Sequence, residues 1–268
     1  MKLKVISGSL FIAAALIATA LIMRSTGAAG LEPKQLALSV RSDHNAYLPG
    51  EPVGLKFKIT NKTDAPVSID GGADVWHGQL KVLIAYQGES YKEYLGPQWG
   101  LKDELDSETI IEPNGFFDTE ATILYNHPLQ SAHLSALYTE ENAAKRVETE
   151  YALARVGEYR VKAILHVSES EDAIESEPIQ ITIEAPKGND LAVWNKIKDN
   201  PSYGYFIQTG DLKAHPDSRK AGRVVETLEE VLNSNPNNRY AGHIRQSLAK
   251  FKSSVGDLKK RGIIKHDD

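Results

Sequence analysis

Cysteine is absent from all 268 residues, and that absence removes several chemistries together. No disulfide framework, thiolate nucleophile or sulfur-ligated zinc site can be built, and no lipid can be attached to a cysteine behind an export signal. Catalytic signatures are missing as well. The eight histidines are scattered with no His-Glu-x-x-His pair, and there is no Gly-x-Ser-x-Gly elbow, phosphate-cradling glycine loop or dinucleotide fingerprint. The chain is therefore expected to carry no catalytic residue, no metal site and no cofactor. A site assembled from residues distant in sequence would leave no such signature.

Charge is missing from one long stretch. Val5 to Met23 is uncharged and mostly Ala, Ile and Leu, with Lys2 and Lys4 before it and Arg24 after it. A basic head, an apolar run and then the small residues Gly27, Ala28 and Ala29 form an export signal, with Gly30 as the first mature residue. The run of about 19 residues also reaches the length that spans a bilayer. Residues 1–29 are thus expected to be a cleaved signal peptide or an uncleaved anchor, with Lys2 and Lys4 held on the cytoplasmic side. Either way the body of the protein is expected in the periplasm or outside the cell. A cysteine-free exported chain of this size has the composition of a bacterial product, which would make Asn61-Lys62-Thr63 an accidental glycosylation sequon.

Beyond that segment the sign of the charge changes along the chain. Residues 31–186 hold 13 Lys and Arg against 26 Asp and Glu, whereas residues 187–268 hold 15 against 10. Opposite signs allow the C-terminal part to dock on the acidic part, or to meet an anionic partner or membrane surface. Nucleic acid is not expected as a partner. The larger part is acidic, and the basic part has no compact stripe of basic and aromatic residues.

Residues 36–184 alternate with the period of half-buried strands. Val53, Leu55, Phe57 and Ile59 are separated by Gly54, Lys56, Lys58 and Thr60, giving one apolar and one wet face. The same pattern falls at 36–40, 80–84, 117–123, 159–165 and 179–183, with a short strand at Val67 and Ile69. Turn chemistry lies between them, in Leu48-Pro49-Gly50-Glu51-Pro52, Asn61-Lys62-Thr63-Asp64 and Pro113-Asn114-Gly115. About seven short antiparallel strands point to an all-β sandwich over residues 33–186.

The stretch Tyr47-Leu48-Pro49-Gly50-Glu51-Pro52-Val53, followed by Asn61-Lys62-Thr63-Asp64-Ala65-Pro66-Val67, resembles the opening hairpin of bacterial immunoglobulin-like or fibronectin-III-like domains. Gly157-Glu158-Tyr159-Arg160-Val161 is similar to the Gly-x-Tyr start of a late strand in those folds. The resemblance implies a corner in which the Tyr159 hydroxyl bonds back to nearby backbone. Val161 stands where antibody domains carry a cysteine, which indicates a cysteine-free cousin. The resemblance speaks for fold and not for activity.

Two long insertions interrupt the strands. Residues 88–108 bring Tyr91, Tyr94 and Trp99, aromatics suited to a partner-binding loop tip or to a cap over the open end of the sandwich. Residues 126–150 contain a possible helix from Thr139 to Val147.

After Ala185-Pro186-Lys187-Gly188 the period changes. Asn189 or Asp190 is placed to cap a helix beginning at Leu191. Ala221, Val224, Val225, Leu228, Val231 and Leu232 follow the spacing of one helical face. Asn235-Pro236-Asn237-Asn238 stops that helix, and Tyr240, Ala241, Ile244, Leu248 and Phe251 mark the next. The pair resembles one tetratricopeptide-like hairpin, a packing or protein-binding unit that needs about three repeats to form a solenoid. With Leu191 to Gln208 it is expected to form a helical bundle over residues 189–256, followed by a flexible tail at 257–268.

The remaining polar clusters read as surface. His127 and His133 flank a proline turn without a carboxylate at ligand spacing. Asp70-Gly71-Gly72-Ala73-Asp74 has the oxygen ligands of a calcium loop but also the composition of an ordinary turn. Asp103-Glu104-Leu105-Asp106, Glu169-Ser170-Glu171-Asp172 and Lys259-Lys260-Arg261 are charge runs of the kind that water solvates. The expected function is that of a noncatalytic exported binding or scaffold protein acting on a protein or envelope component. Two alternatives stand beside it. One is a secreted proteinase inhibitor or peptidase accessory domain, since the alternation from Val53 to Ile69 and the loop with Trp99 resemble bacterial proteinase-inhibitor sandwiches. The other is an enzyme whose site joins acids or histidines in a pocket at the junction of the two parts.

Overall fold

The two-residue period has its physical consequence in the central strand, where Val53, Leu55, Phe57 and Ile59 are each 1% exposed or less while Lys56 stays in water. A computed structural model describes residues 35–70, 73–75, 78–96, 108–126, 150–167, 173–198, 200–212 and 218–260. Ala29, Gly30, Trp99, His127, His133 and the helix expected at Thr139 to Val147 lie outside those residues. So do the clusters at 103–106 and 169–172, part of the 70–74 loop and most of the tail. Among the described residues, no helix is long and apolar enough to cross a membrane.

The described strands are, in chain order, β1 (Leu36–Ser42), β2 (Ala46–Tyr47), β3 (Val53–Asn61), β4 (Val67–Asp70), β5 (Leu80–Tyr86), β6 (Lys92–Glu93), β7 (Glu108–Ile111), β8 (Phe116–Ile123), β9 (Gly157–His166), β10 (Ala173–Glu175) and β11 (Ile179–Ile183). They form a sheet β1-β3-β8, a second sheet β2-β11-β9-β5-β6 with β10 also paired to β9, and the ribbon β4-β7. All these pairings are antiparallel except β2 with β11. The buried side chains of β9, Tyr159, Val161, Ala163 and Leu165, alternate as those of β3 do. β1 runs close to β9, β10 and β11 of the other sheet.

Every stretch with clear alternation is a strand. Those that the alternation missed, β2, β6, β7 and β10, have two to four residues, too few to display a period. In β7 the adjacent Ile110 and Ile111 hide the pattern further, because one is 59% exposed and the other 2%. A similar apolar pair opens β8, where Phe116 is exposed with the Lys58 ammonium 3.6 Å from its ring centre.

Two turn features receive a structural role. Asn61 is buried, and its amide donates to the carbonyls of Ala65, Ile111 and Glu112 while its oxygen accepts from the Thr63 N–H and hydroxyl. The sequon is therefore a staple between the β3–β4 turn and the end of β7. At the start of β9, Gly157 takes φ +140, and the Tyr159 hydroxyl accepts from the Arg155 N–H at 2.9 Å. That is the corner the resemblance implied, and burial raises the tyrosine's pKa. Removing the hydroxyl in Tyr159→Phe is expected to cost about 1 kcal/mol in urea unfolding with an unchanged denaturant slope.

Four helices are described: α1 (Gly188–Ile197), α2 (Pro201–Thr209), α3 (Ser218–Ser234) and α4 (Ala241–Lys260). The first starts earlier than the capping residues suggest. Lys187 is its N-cap and no side chain caps it. Asp190 lies in the first turn, and its Oδ1 accepts from the Arg239 N–H at 2.8 Å. A long-range contact has taken the oxygen that a local cap would use. Asn200 caps α2 by accepting from the Ser202 N–H at 3.0 Å, with Pro201 in the first turn and Gly210 left-handed at the other end. The apolar stripes of α3 and α4 are buried at Val224, Leu228, Val231, Ile244 and Leu248, and Tyr240 is buried just before α4. They share one core with Leu48, Leu124 and Tyr151 from the strand region, within a compact unit that includes strands and helices alike.

Candidate functional site

The helices meet the sheets at Leu48-Pro49-Gly50-Glu51-Pro52, the turn that carried the resemblance to an opening hairpin. Proline and glycine reverse the chain there, with Gly50 at φ +72. The reversal also presents three anchors. Leu48 enters the helical core, the Pro49 carbonyl accepts from the Tyr240 hydroxyl at 2.8 Å, and bare Gly50 lies under the Trp194 ring. A Cβ on Gly50 would stand 2.3 Å from Trp194 Cζ3. Trp194 is in turn held edge-on by Tyr151, with ring centres 5.3 Å apart, and the Tyr151 hydroxyl donates to the Ile197 carbonyl at 3.1 Å.

Charge adds a second set of anchors. Glu51 is 8% exposed. Its Oε2 accepts from the Leu48 N–H at 2.7 Å and lies 3.1 Å from Arg239 Nη2. The same guanidinium reaches Glu184 at 3.0 Å and the Ala46 carbonyl at 3.1 Å. Burial pushes the Glu51 carboxyl above its ordinary range, opposed by the Leu48 N–H and by Arg239. The opposite charges of the two parts of the chain thus meet at this junction, through Arg239.

Beside these anchors a cleft of about 280 Å³ opens between the residues flanking β2 and the helices α2 and α4. Its rim brings together His44, His243, Asp43, Gln246 and Lys250, none of which the sequence singled out. Two glycines shape its walls. The Asp43 carboxylate occupies the space where Gly54 lacks a Cβ, and the stem of Lys250 lies across Gly210. Asp43 is 2.8 Å from Lys56 Nζ. His44 is anchored through its backbone N–H, which donates to the buried Tyr47 hydroxyl at 2.9 Å. His243 is half-buried, and its pKa is lowered by burial first and by His44 second. Among the described residues, no three His, Asp or Glu side chains converge as metal ligands.

Tyr94 is 6% exposed and serves as a bridge. Its hydroxyl donates to the Tyr125 carbonyl and accepts from Gln208 Nε2, both at 2.8 Å. Gln208 also donates to the Thr122 carbonyl and accepts from the Tyr125 N–H, so one glutamine of α2 ties the aromatic loop to the end of β8. Burial pushes the Tyr94 phenol up to about 12. Tyr91 is half-buried on the outer face of the second sheet, with Arg160 and Lys162 5.3 and 4.9 Å from its ring centre. The structure does not bring these two tyrosines to the cleft. Tyr94 instead lines a pocket of about 240 Å³ together with Tyr86, Tyr159 and Arg155. Arg155 there is stacked 3.7 Å from the Tyr86 ring centre and paired with Glu89 at 2.7 Å.

Comparison with known proteins leaves the class open. No family model matches the chain, and no curated protein does. Solved structures give partial overlaps at low identity. A β-glucosidase from Erythrobacter marinus aligns at 9% identity over 55% of this chain and 15% of its own, with a TM-score of 0.30. The Bacillus subtilis sporulation control protein Spo0M aligns at 12% over 61% of this chain and 56% of its own, at 0.29. A CARDB domain from Pyrococcus furiosus aligns at 11% over 56% of this chain and 94% of its own, at 0.26. The chain spans 15% and 56% of the first two proteins, less than two thirds of either, and overlaps of this quality carry no argument.

Proposed function

We propose that this is a noncatalytic exported protein in which an immunoglobulin-like β-sandwich and a C-terminal helical bundle act together to bind a protein or an envelope component. The observation that supports it is the junction. The apolar stripes of α3 and α4, which a tetratricopeptide array would turn towards a further repeat, share a core with Leu48, Leu124 and Tyr151. The helices thereby contour the end of the sheets into one surface with a cleft in it. The sandwich reading is supported by the approach of β1 to β9, β10 and β11 and by the Tyr159 corner. Export is supported by Lys2, Lys4 and the apolar run from Val5 to Met23.

A photo-crosslinking side chain at Gln246, on the cleft rim, is expected to capture a discrete envelope partner. The same group at exposed Glu226 on α3 is expected not to. Identical patterns from both positions, or no adduct from Gln246, would remove the support for this surface. Fractionation with N-terminal sequencing tests the compartment, and an uncleaved chain found in the cytosol would refute export.

One observation favours a second reading, an enzyme with a dispersed site. His243 lines the cleft, and burial and then His44 lower its pKa, which favours the neutral imidazole that a general base needs. Hydrolase assays on the protein and on His243→Gln decide this, since activity identical in both leaves His243 without a catalytic role.

A further inference from the structure

The described lining of the junction cleft holds one ammonium, Lys250, and two imidazoles, His44 and His243. Asp43 is the one carboxylate among the described residues that line it, and Lys56 already neutralises that group at 2.8 Å. Lys250 faces the cleft with its stem laid over Gly210, Cδ standing 2.9 Å from where a Cβ would be. No described carboxylate pairs with it. Gly210 is left-handed at φ +67 because it ends α2. The helix terminus and the lysine's path are therefore set by the same missing side chain.

The other polar groups around the cleft are already committed. The Ser247 hydroxyl donates to the Ile207 carbonyl at 2.6 Å, the Thr209 hydroxyl donates to the Tyr205 carbonyl at 2.9 Å, and the Gln208 amide holds Tyr94, Thr122 and Tyr125. They form a rigid frame. The side chains of Lys250, His44, His243 and Gln246 remain to meet a ligand. The geometry points to a binding site for a small oxyanion, a phosphate or carboxylate group, held by the Lys250 ammonium together with the His44 and His243 imidazoles. Ammonium and imidazolium donors to such a group make the shorter, stronger class of hydrogen bond. This site goes beyond the partner proposed above and does not depend on it.

The site carries a sign in pH. The groups that share the cleft with His243 are His44, Asp43 and Tyr47 from the chain around β2, Gln208 and Thr209 from α2, and Gln246 and Lys250 from its own helix, and His44 is the one whose charge acts on it. Glu51 is within electrostatic reach of His44. Burial and His44 lower the His243 pKa. A bound anion reverses that effect, so binding draws a proton onto the imidazole and tightens as pH falls through the histidine range.

The test is a histidine-resolved NMR titration of the full-length protein with inorganic phosphate and, separately, citrate, using chloride at matched ionic strength as control. The His44→Gln and His243→Gln variants assign the two resonances. Saturable shifts of both are expected with either anion and not with chloride, tighter at pH 5.5 than at pH 7.5. Binding is expected to weaken about tenfold in Lys250→Gln and to recover in Lys250→Arg. Vesicles of phosphatidylglycerol form a second arm. Shifts with vesicles but not with free anion would place the same phosphate chemistry on a lipid headgroup. The proposal is overturned by the absence of saturable shifts in both arms through the millimolar range, or by equal affinity in Lys250→Gln with its far-ultraviolet circular dichroism unchanged.

Discussion

Gly50→Ala is expected to lose about 3 kcal/mol of folding stability, more than most single surface changes. Two costs combine at this position. Alanine at φ +72 is forced into a conformation that L side chains resist, worth about 1 kcal/mol. The added methyl would also stand 2.3 Å from Trp194 Cζ3 and 2.9 Å from Cε3. The indole has little room to retreat, since it is buried against Tyr151 and Ile197 in the helical core. Urea denaturation reads the loss as a lower midpoint at constant slope. A double-mutant cycle separates the two costs. In a Trp194→Ala background the penalty at Gly50 should fall to about its conformational part, about 1 kcal/mol. An undiminished penalty there would mean that the ring is not what Gly50 accommodates.

Arg239→Ala is expected to cost about 2 kcal/mol at pH 7, because it strands a buried carboxylate. Glu51 would keep the Leu48 N–H but lose the guanidinium 3.1 Å away, and the contacts to Glu184 and the Ala46 carbonyl would go with it. The pH dependence tells these apart. Burial already raises the folded-state pKa of Glu51 above its unfolded value, so the folded state holds the extra proton and stability falls as pH rises through that interval. Without Arg239 the interval widens upward. The penalty should therefore be largest at neutral pH and shrink below the unfolded glutamate pKa of about 4.3. The pair Arg239→Ala with Glu51→Gln should recover most of the loss at pH 7. A penalty independent of pH would assign the effect to the exposed contacts instead.

The sheets were legible because their cause is local. Val53, Leu55, Phe57 and Ile59 repeat every second residue and bury one face, and Val224, Leu228 and Val231 repeat at helical spacing for the same reason. The docking turn was legible as a turn and not as a dock. Pro49 and Gly50 reverse a chain equally well whether water or a tryptophan lies above them, and nothing near Gly50 announces Trp194. Asp190 shows the converse. It had the chemistry of a cap, but Arg239 claimed its oxygen. Tyr94, one of a set of loop aromatics, is buried and bonded to Gln208 of α2, a partner 114 residues away that its own loop does not announce. The cleft was legible only in part, since His243, Gln246 and Lys250 share one face of α4 but His44 joins them only after the helices fold back. The change in the sign of charge along the chain was a further hint, and its structural counterpart is Arg239 between Glu51 and Glu184.

The bond from Tyr240 to Pro49 joins positions 191 residues apart, which sets an order on how the molecule comes into being. Strand pairs such as β10 with β9 close over short loops and can form while the chain is still emerging. The docking turn has to wait for Tyr240, made 191 residues after Pro49, and for α4 behind it. Contacts of such long range form late because the loop entropy must be overcome before they stabilise anything. Until then Leu48, Leu124 and Tyr151 face water as an uncovered apolar patch, a natural target for a chaperone and a natural start for aggregation. Chains shortened from the C-terminus should therefore fail by clumping rather than by losing their strands.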